Sequence, residues 1–293
     1  MKYIPVAHYE QSKIYTSTDS FISFSNSPYP AHRLGYGLDI YNASRSYFAD
    51  VFSPVDGKFV FTKRIGEDCV SAIQVRDNLI VRILHLDPAV DIGSYIYVGD
   101  YIGNYIRSPF FEFWTDPHIH VEYRKSLKGI LRSSGGLPLH ILFDADKSKI
   151  NFSKRFSIIS KRPEYLLVSI PEPYVASFGP YFGLKVQLKN GYGLLEGGIP
   201  YYGYGRVYSE YLQDSKLKLF DKEIGSSQIS YNVGFIDFRK QIKITANEIS
   251  IRGIALNLYL SKPAIKIVPY NTENITDFRI GESIKFDISL PNL

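Results

Sequence analysis

Two histidines one residue apart, in a stretch that reads as a β-strand, restrict this chain more than any other feature. They lie in Thr115-Asp-Pro-His-Ile-His120 and are followed by Val121-Glu122. Successive side chains of a strand point to opposite faces, so residues i and i+2 share one face, roughly 7 Å apart. His118 and His120 therefore project together, while Ile119 and Val121 turn the other way. A pair so placed suits a metal site, with one imidazole on the ion and the other polarising what the ion has bound.

All six histidines (His8, His32, His85, His118, His120 and His140) fall in the first half of the 293 residues. Histidine chemistry therefore belongs to an N-terminal domain. That half reads as short strands punctuated by Gly and Pro: Leu38–Tyr41, Gly57–Phe61, Ser71–Val75, Leu79–Leu84 and Ile119–Tyr123. It shows no convincing amphipathic helix. The charged stretch Asp144-Ala-Asp-Lys-Ser-Lys149 reads as a linker, which predicts domains at 1–148 and 149–293. The second half alternates apolar and polar residues over Phe238–Arg252 and Ala255–Leu260, the pattern of half-buried antiparallel strands in a sandwich. The tract Gly198–Gly205 reads as an aromatic turn packed on a sheet, with a binding loop as the alternative. The expected fold is all-β in both domains.

Composition narrows the function classes. A hydrophobic share of 45% against 22% charged residues supports a buried core and excludes disorder. The net charge of +5 carries no dense Lys/Arg block, so no nucleic-acid partner is expected. The single cysteine, Cys69, excludes an internal disulfide and a zinc site built on several thiolates. No apolar run near Met1 is long enough for a signal peptide and none reaches membrane-spanning length, so the expectation is a cytoplasmic protein without an integral membrane segment. A mature secreted form is the alternative.

Three further segments fall in order with the histidine pair: Gly35-Tyr-Gly-Leu-Asp-Ile40; Phe52-Ser-Pro-Val-Asp-Gly-Lys-Phe-Val60; and Ile83-Leu-His-Leu86 continuing through Val90–Gly103. In this order the chain resembles the lysostaphin-type (LytM-like) zinc endopeptidases over about residues 30–125. The resemblance implies a duplicated hybrid β-barrel domain, followed here by the β-sandwich-like domain. It implies that Asp39 and His120 are zinc ligands, and that His118 and His85 act on the zinc-bound water and the developing oxyanion. The implied activity is hydrolysis of peptide bonds, in cell-wall or other peptides.

Two departures bear on activity. The resemblance places its first zinc ligand four residues before the aspartate, where this chain has Gly35. A catalytic zinc keeps three protein ligands and an open fourth position. His32 reaches the site only if its loop bulges, and His8 only through tertiary folding. Before the histidine pair, Pro109-Phe-Phe-Glu-Phe-Trp114 is bulky enough to fill or reshape a groove. The sequence alone thus favours a degenerate, non-catalytic member acting as a binding or scaffold module for a peptide, glycan or protein. The alternative is a zinc metalloendopeptidase with the altered ligand set Asp39, His120 and His32. A third reading, a biotinyl- or lipoyl-type carrier domain, is suggested by Ser53–Lys58 and Val98–Ile102, but Met1 is the only methionine and the Met-Lys turn of such carriers is missing.

Overall fold

The computed structural model describes residues 2–147, 149–210, 215–230, 232–238 and 242–290. Residues 239–241 of the alternating run from Phe238, and Ser148 of the charged linker, lie outside the described residues. The chain forms two compact units: residues 1–22 with 29–145, and residues 23–28 with 146–293. Both are built almost wholly from antiparallel strands. No helix among the described residues is long and apolar enough to cross a membrane, which says nothing of a β-barrel.

The first unit is organised around the strand His118–Arg124. One edge pairs with Leu38–Tyr41, in a register that sets His120 opposite Asp39 and His118 opposite Tyr41. The other edge pairs with Leu79–Leu84 and sets Glu122 opposite Arg82. The sheet continues through Asp68–Arg76 and Gly57–Ile65 to the short strand Tyr95–Ile96. A smaller sheet joins Asp50–Phe52, Tyr101–Tyr105 and Leu86–Pro88. A third joins Tyr3–Tyr9, Ser12–Ser17 and His140–Ile141.

Alternation along His118–Arg124 separates two buried faces. Ile119, Val121 and Tyr123 enter the apolar core with Leu38, Phe59, Ile73, Val81 and Ile83. His118, His120, Glu122 and Arg124 occupy the opposite face, and every one of them is also buried. Long polar side chains are seldom buried unless they are paired, so a strand that hides a wholly polar face marks a built site.

The second unit is a run of antiparallel hairpins. Val175–Phe178, Tyr181–Leu188, Gly191–Ile199 and Tyr204–Tyr208 follow one another and pair in sequence. A separate three-stranded sheet joins Lys243–Ala246, Ile249–Ile251 and Phe286–Ser289. Ile244, Ala246, Ile251 and Ile288 of that sheet share one apolar core with Leu184, Leu195, Ile254 and Ile265 of the larger one. Two sheets over a common core give the sandwich-like packing expected of half-buried antiparallel strands. In the Tyr/Gly tract the chain turns back on itself, with Gly203 N–H donating to Pro200 O and the Tyr201 and Tyr202 rings 4.6 Å apart.

The six residues 23–28 join this unit through a buried carboxylate. Glu196 is fully enclosed and accepts from Ser23 Oγ at 2.6 Å, from Ser25 N–H at 2.8 Å, from Phe24 N–H and from the Tyr208 hydroxyl. Asn26 Nδ2 donates to Asn257 Oδ1 at 3.0 Å, and the Tyr204 hydroxyl donates to Ser27 O. Removing such an acceptor strands several buried donors at once. Glu196→Ala should therefore lower stability by about 3 kcal/mol or more, since each buried unsatisfied group costs roughly 1–3 kcal/mol. The urea-unfolding midpoint reads the effect, and an unchanged midpoint would show that the segment is not held this way.

Candidate metal centre

Three side chains from three separate segments converge beside the polar face of the central strand. His32 Nε2 lies 3.0 Å from Asp39 Oδ1 and 3.1 Å from His120 Nδ1, and His120 Nδ1 lies 2.8 Å from the same Asp39 oxygen. His32, Asp39 and His120 are the one group of His, Cys, Asp and Glu side chains among the described residues that could hold a metal ion. Donors bonded tetrahedrally to zinc at about 2.0–2.1 Å stand about 3.3 Å apart. The observed triangle is tighter than that by a few tenths of an ångström, so an ion would need only a slight opening.

Local backbone geometry explains why position 32, and not position 35, places a side chain in this cluster. Gly35 has φ = +76°, a left-handed conformation that a histidine adopts only under strain. It ends a single helical turn, Pro30–Arg33, whose His32 carbonyl accepts from Gly35 N–H. Pro30 stands at the start of the turn, where its fixed φ and missing N–H are tolerated. The turn is the bulge that a donor from position 32 requires, and it buries His32 completely. Gly37 is needed for a different reason: a Cβ there would sit 2.5 Å from His120 Cε1.

His120 is gripped from both sides, since its Nε2 lies 2.9 Å from Glu122 Oε1. Glu122 in turn accepts from Arg124 Nε at 2.9 Å and Nη2 at 2.6 Å, with Arg82 Nη1 at 3.5 Å. A carboxylate behind a ligating imidazole fixes its ring and raises its basicity. Burial alone would lower the pKa of His120, but the Asp39 and Glu122 carboxylates outweigh it and hold the imidazole at about 9. Burial likewise works against the Asp39 carboxylate, yet the three surrounding histidines hold it well below the usual range. The cluster is thus built to contain positive charge, as a proton or as a cation.

His118 and His85 stand next to this triangle with their rings 5.1 Å apart. His118 Nδ1 lies 2.8 Å from the Asp116 carbonyl, which can only accept, so Nδ1 carries the proton. Its Nε2 faces Asp39 Oδ2 at 3.7 Å. Burial lowers the His118 pKa to about 4, so the ring is neutral near pH 7. The Asp116 carboxylate is in a buried ion pair with Arg45, which fixes the entry to the strand. His85 has φ = +66°, a strain of order 1–3 kcal/mol for a non-glycine residue. Phe111 covers both rings, at 4.6 Å from each.

The structure thus brings together all five residues singled out from the sequence: Asp39, His120, His32, His118 and His85. His8 lies elsewhere, paired in register with His140. Phe111 belongs to the bulky Pro109–Trp114 run already read as filling or reshaping the groove, whereas sequence reasoning missed Asp68, Ser108 and the arginines behind Glu122. The signal for the last was present in the alternation His118, His120, Glu122, Arg124.

Residues 11–141 match a family model described as the domain of unknown function (DUF8155) N-terminal domain, and residues 149–289 match its C-terminal domain. The chain belongs to the DUF8155 family. No curated protein matches it. Among solved structures, the catalytic domain of the prophage-encoded M23 protein EnpA from Enterococcus faecalis is 20% identical, covering 34% of this chain and 72% of that one, with a TM-score of 0.26. A zinc-containing peptidase from Vibrio cholerae is 26% identical over 30% of this chain and 26% of its own, with a TM-score of 0.24. Lysostaphin is 16% identical over 76% of this chain and 95% of its own, with a TM-score of 0.31. The likeness to LytM/M23 peptidase domains is therefore partial, and the chain spans about a quarter of the Vibrio protein.

Two outcomes follow from the site geometry. Gly37→Ala drives a methyl group into the His120 ring and should cost about 1–3 kcal/mol. Thermal melts with and without zinc check this, and an unshifted melt contradicts it. The second outcome concerns pH. Stability contributed by the raised His120 is fully present below 6.5 and is lost as pH rises through about 9. Glu122 is held at about 2 against its burial, chiefly by His120, so its contribution is present above 4.5 and is lost as pH falls through about 2. Urea midpoints of the metal-free protein should decline on both sides, and saturating zinc should remove the alkaline decline. A flat profile between pH 6.5 and 9 contradicts this assignment.

Proposed function

We propose that the first unit is a zinc-dependent hydrolase of peptide bonds, with His32, Asp39 and His120 as the metal ligands. The observation that supports this is the convergence of those three donors, which supplies the third ligand that Gly35 lacks. Two imidazoles and a carboxylate suit zinc and, as three donors, would leave a position free for reactants. When bound, the ion would supply Lewis-acid polarisation of a water and of a substrate carbonyl.

The protein's own groups account for the remaining work. His118 is neutral with Nδ1–H tied to the Asp116 carbonyl, so its Nε2 lone pair faces the site and accepts a proton. His85, adjacent to it, is placed to accept a proton during the reaction and return it to the leaving amine. Phe111 stacks on the His118 ring and meets the His85 ring edge-on. The Glu122–Arg124 pair keeps the His120 ring oriented.

A second reading, a binding or scaffold module without turnover, is favoured by one observation. All five site residues are less than 9% exposed, and Phe111 packs against the His85 and His118 rings, which leaves little room for a substrate beside them. In that reading the partner is a peptide, glycan or protein.

Elemental analysis after purification in zinc-containing buffer tests the metal assignment. One zinc per chain is expected, lost on Asp39→Ala, His120→Ala or His32→Ala. His118→Ala should keep the zinc while hydrolysis of cross-linked wall-type peptides falls by about 10²-fold or more. Substoichiometric zinc in the unaltered protein would remove the basis for a hydrolase, and stoichiometric zinc without hydrolysis would favour the binding module.

A further inference from the structure

Behind His85 stands a set of contacts that the metal ligands do not need. Asp68 Oδ2 lies 2.8 Å from His85 Nδ1 and accepts from Ser108 Oγ at 2.7 Å. Asp68 Oδ1 accepts from Cys69 N–H at 2.7 Å. Three segments thus fix one carboxylate: the start of Asp68–Arg76, the left-handed residue after Leu79–Leu84, and the loop that carries Ser108. Asp68, His85 and Ser108 are each buried, at 5%, 8% and 2% exposure, so bulk water does not compete for these bonds. The His85 backbone is tied on both sides, its N–H donating to Cys69 O and its carbonyl accepting from Ile106 N–H.

We infer that Asp68 is a positioning residue for His85, holding the imidazole in its Nδ1–H tautomer so that Nε2 is left with a lone pair for the reaction. This rests on the hydrolase reading for its functional meaning, though not for its geometry. A carboxylate with both oxygens engaged by donors can only accept from the imidazole, so the proton must sit on Nδ1. Ser108 fixes the direction of the Oδ2 lone pairs, and the left-handed backbone at His85 turns the ring toward Asp68. An asparagine at position 68 changes the logic without changing the shape. If its oxygen keeps the Cys69 N–H, its amide N–H₂ faces His85 Nδ1 and favours the opposite tautomer. The same inversion of tautomer by Asp→Asn is known to disable serine-protease triads.

The test uses the full chain, first without metal. Nitrogen-15 spectra correlating ring nitrogens with ring protons, assigned through His85→Gln, read the His85 tautomer directly. The Nδ1–H form is expected in the unaltered protein and the Nε2–H form, alone or in a mixture, in Asp68→Asn. An Nε2–H tautomer in the unaltered protein would overturn the inference, and this measurement stands even if Asp68→Asn fails to fold. An unchanged Nδ1–H tautomer in a folded Asp68→Asn would overturn it as well. With zinc added, Asp68→Asn should bind one ion like the unaltered protein. Its kcat on a peptide substrate should fall by about 10²-fold with KM little changed. A tautomer that switches in a protein that binds no zinc supports the positioning role of Asp68 and rejects the hydrolase reading, so the two failures are distinguishable.

Discussion

The contact between Asp39 and His120, side by side on neighbouring strands, is what the rest of the first unit depends on. Strand register places the two residues opposite each other, and their charges are buried together. A buried carboxylate is tolerable only when it is paired and hydrogen-bonded, and the same holds for a buried imidazolium. Behind His120 the pattern repeats: Glu122 answers the imidazole, and Arg124 and Arg82 answer Glu122. The polar face of the strand is therefore a line of alternating charge in which each group is held by its neighbours. Such a network is all-or-nothing, because removing one member leaves the next buried and unpaired. A cation held by His32, Asp39 and His120 would take the place of the proton on His120 Nδ1 and leave the line behind it intact.

Much of this was legible in the sequence, because strands advertise themselves by period two. The segments read as strands at Leu38–Tyr41 and Leu79–Leu84 form as read, and those at Gly57–Phe61, Ser71–Val75 and Ile119–Tyr123 sit inside longer observed strands. Asp39, His85, His118 and His120 could be chosen because they stand at fixed spacings within ordered motifs. His32 was harder. Its place depends on a single helical turn opened by Pro30 and closed by a left-handed Gly35, and one turn is too short to leave a periodic trace. The glycine that looked like a missing ligand is instead the residue that lets the chain turn back after His32.

Asp68 and Ser108 were illegible for another reason. They stand 17 and 23 residues from His85, and neither lies in a motif. Only the pairing of Asp68–Arg76 with Leu79–Leu84, which sets Val70 against Leu84, brings the aspartate near the end of the neighbouring strand. Hairpin register of this kind is a property of the folded sheet, shifted here by an irregularity between Gln74 and Arg76. The arginines behind Glu122 fall between these extremes. Arg124 follows the alternation of its own strand, whereas Arg82 reads as an ordinary surface charge until the sheet is assembled.

The segment 23–28 carries a consequence for how such a chain can be inherited. Its residues precede the whole of the His32–Asp39–His120 cluster in sequence, yet they supply Ser23, Phe24 and Ser25 to a carboxylate at position 196. A genetic exchange near residue 146 would transmit the second unit without the strap that satisfies its buried glutamate. The two units are therefore poor candidates for independent shuffling among genes, because part of one unit's interior is encoded within the stretch that encodes the other.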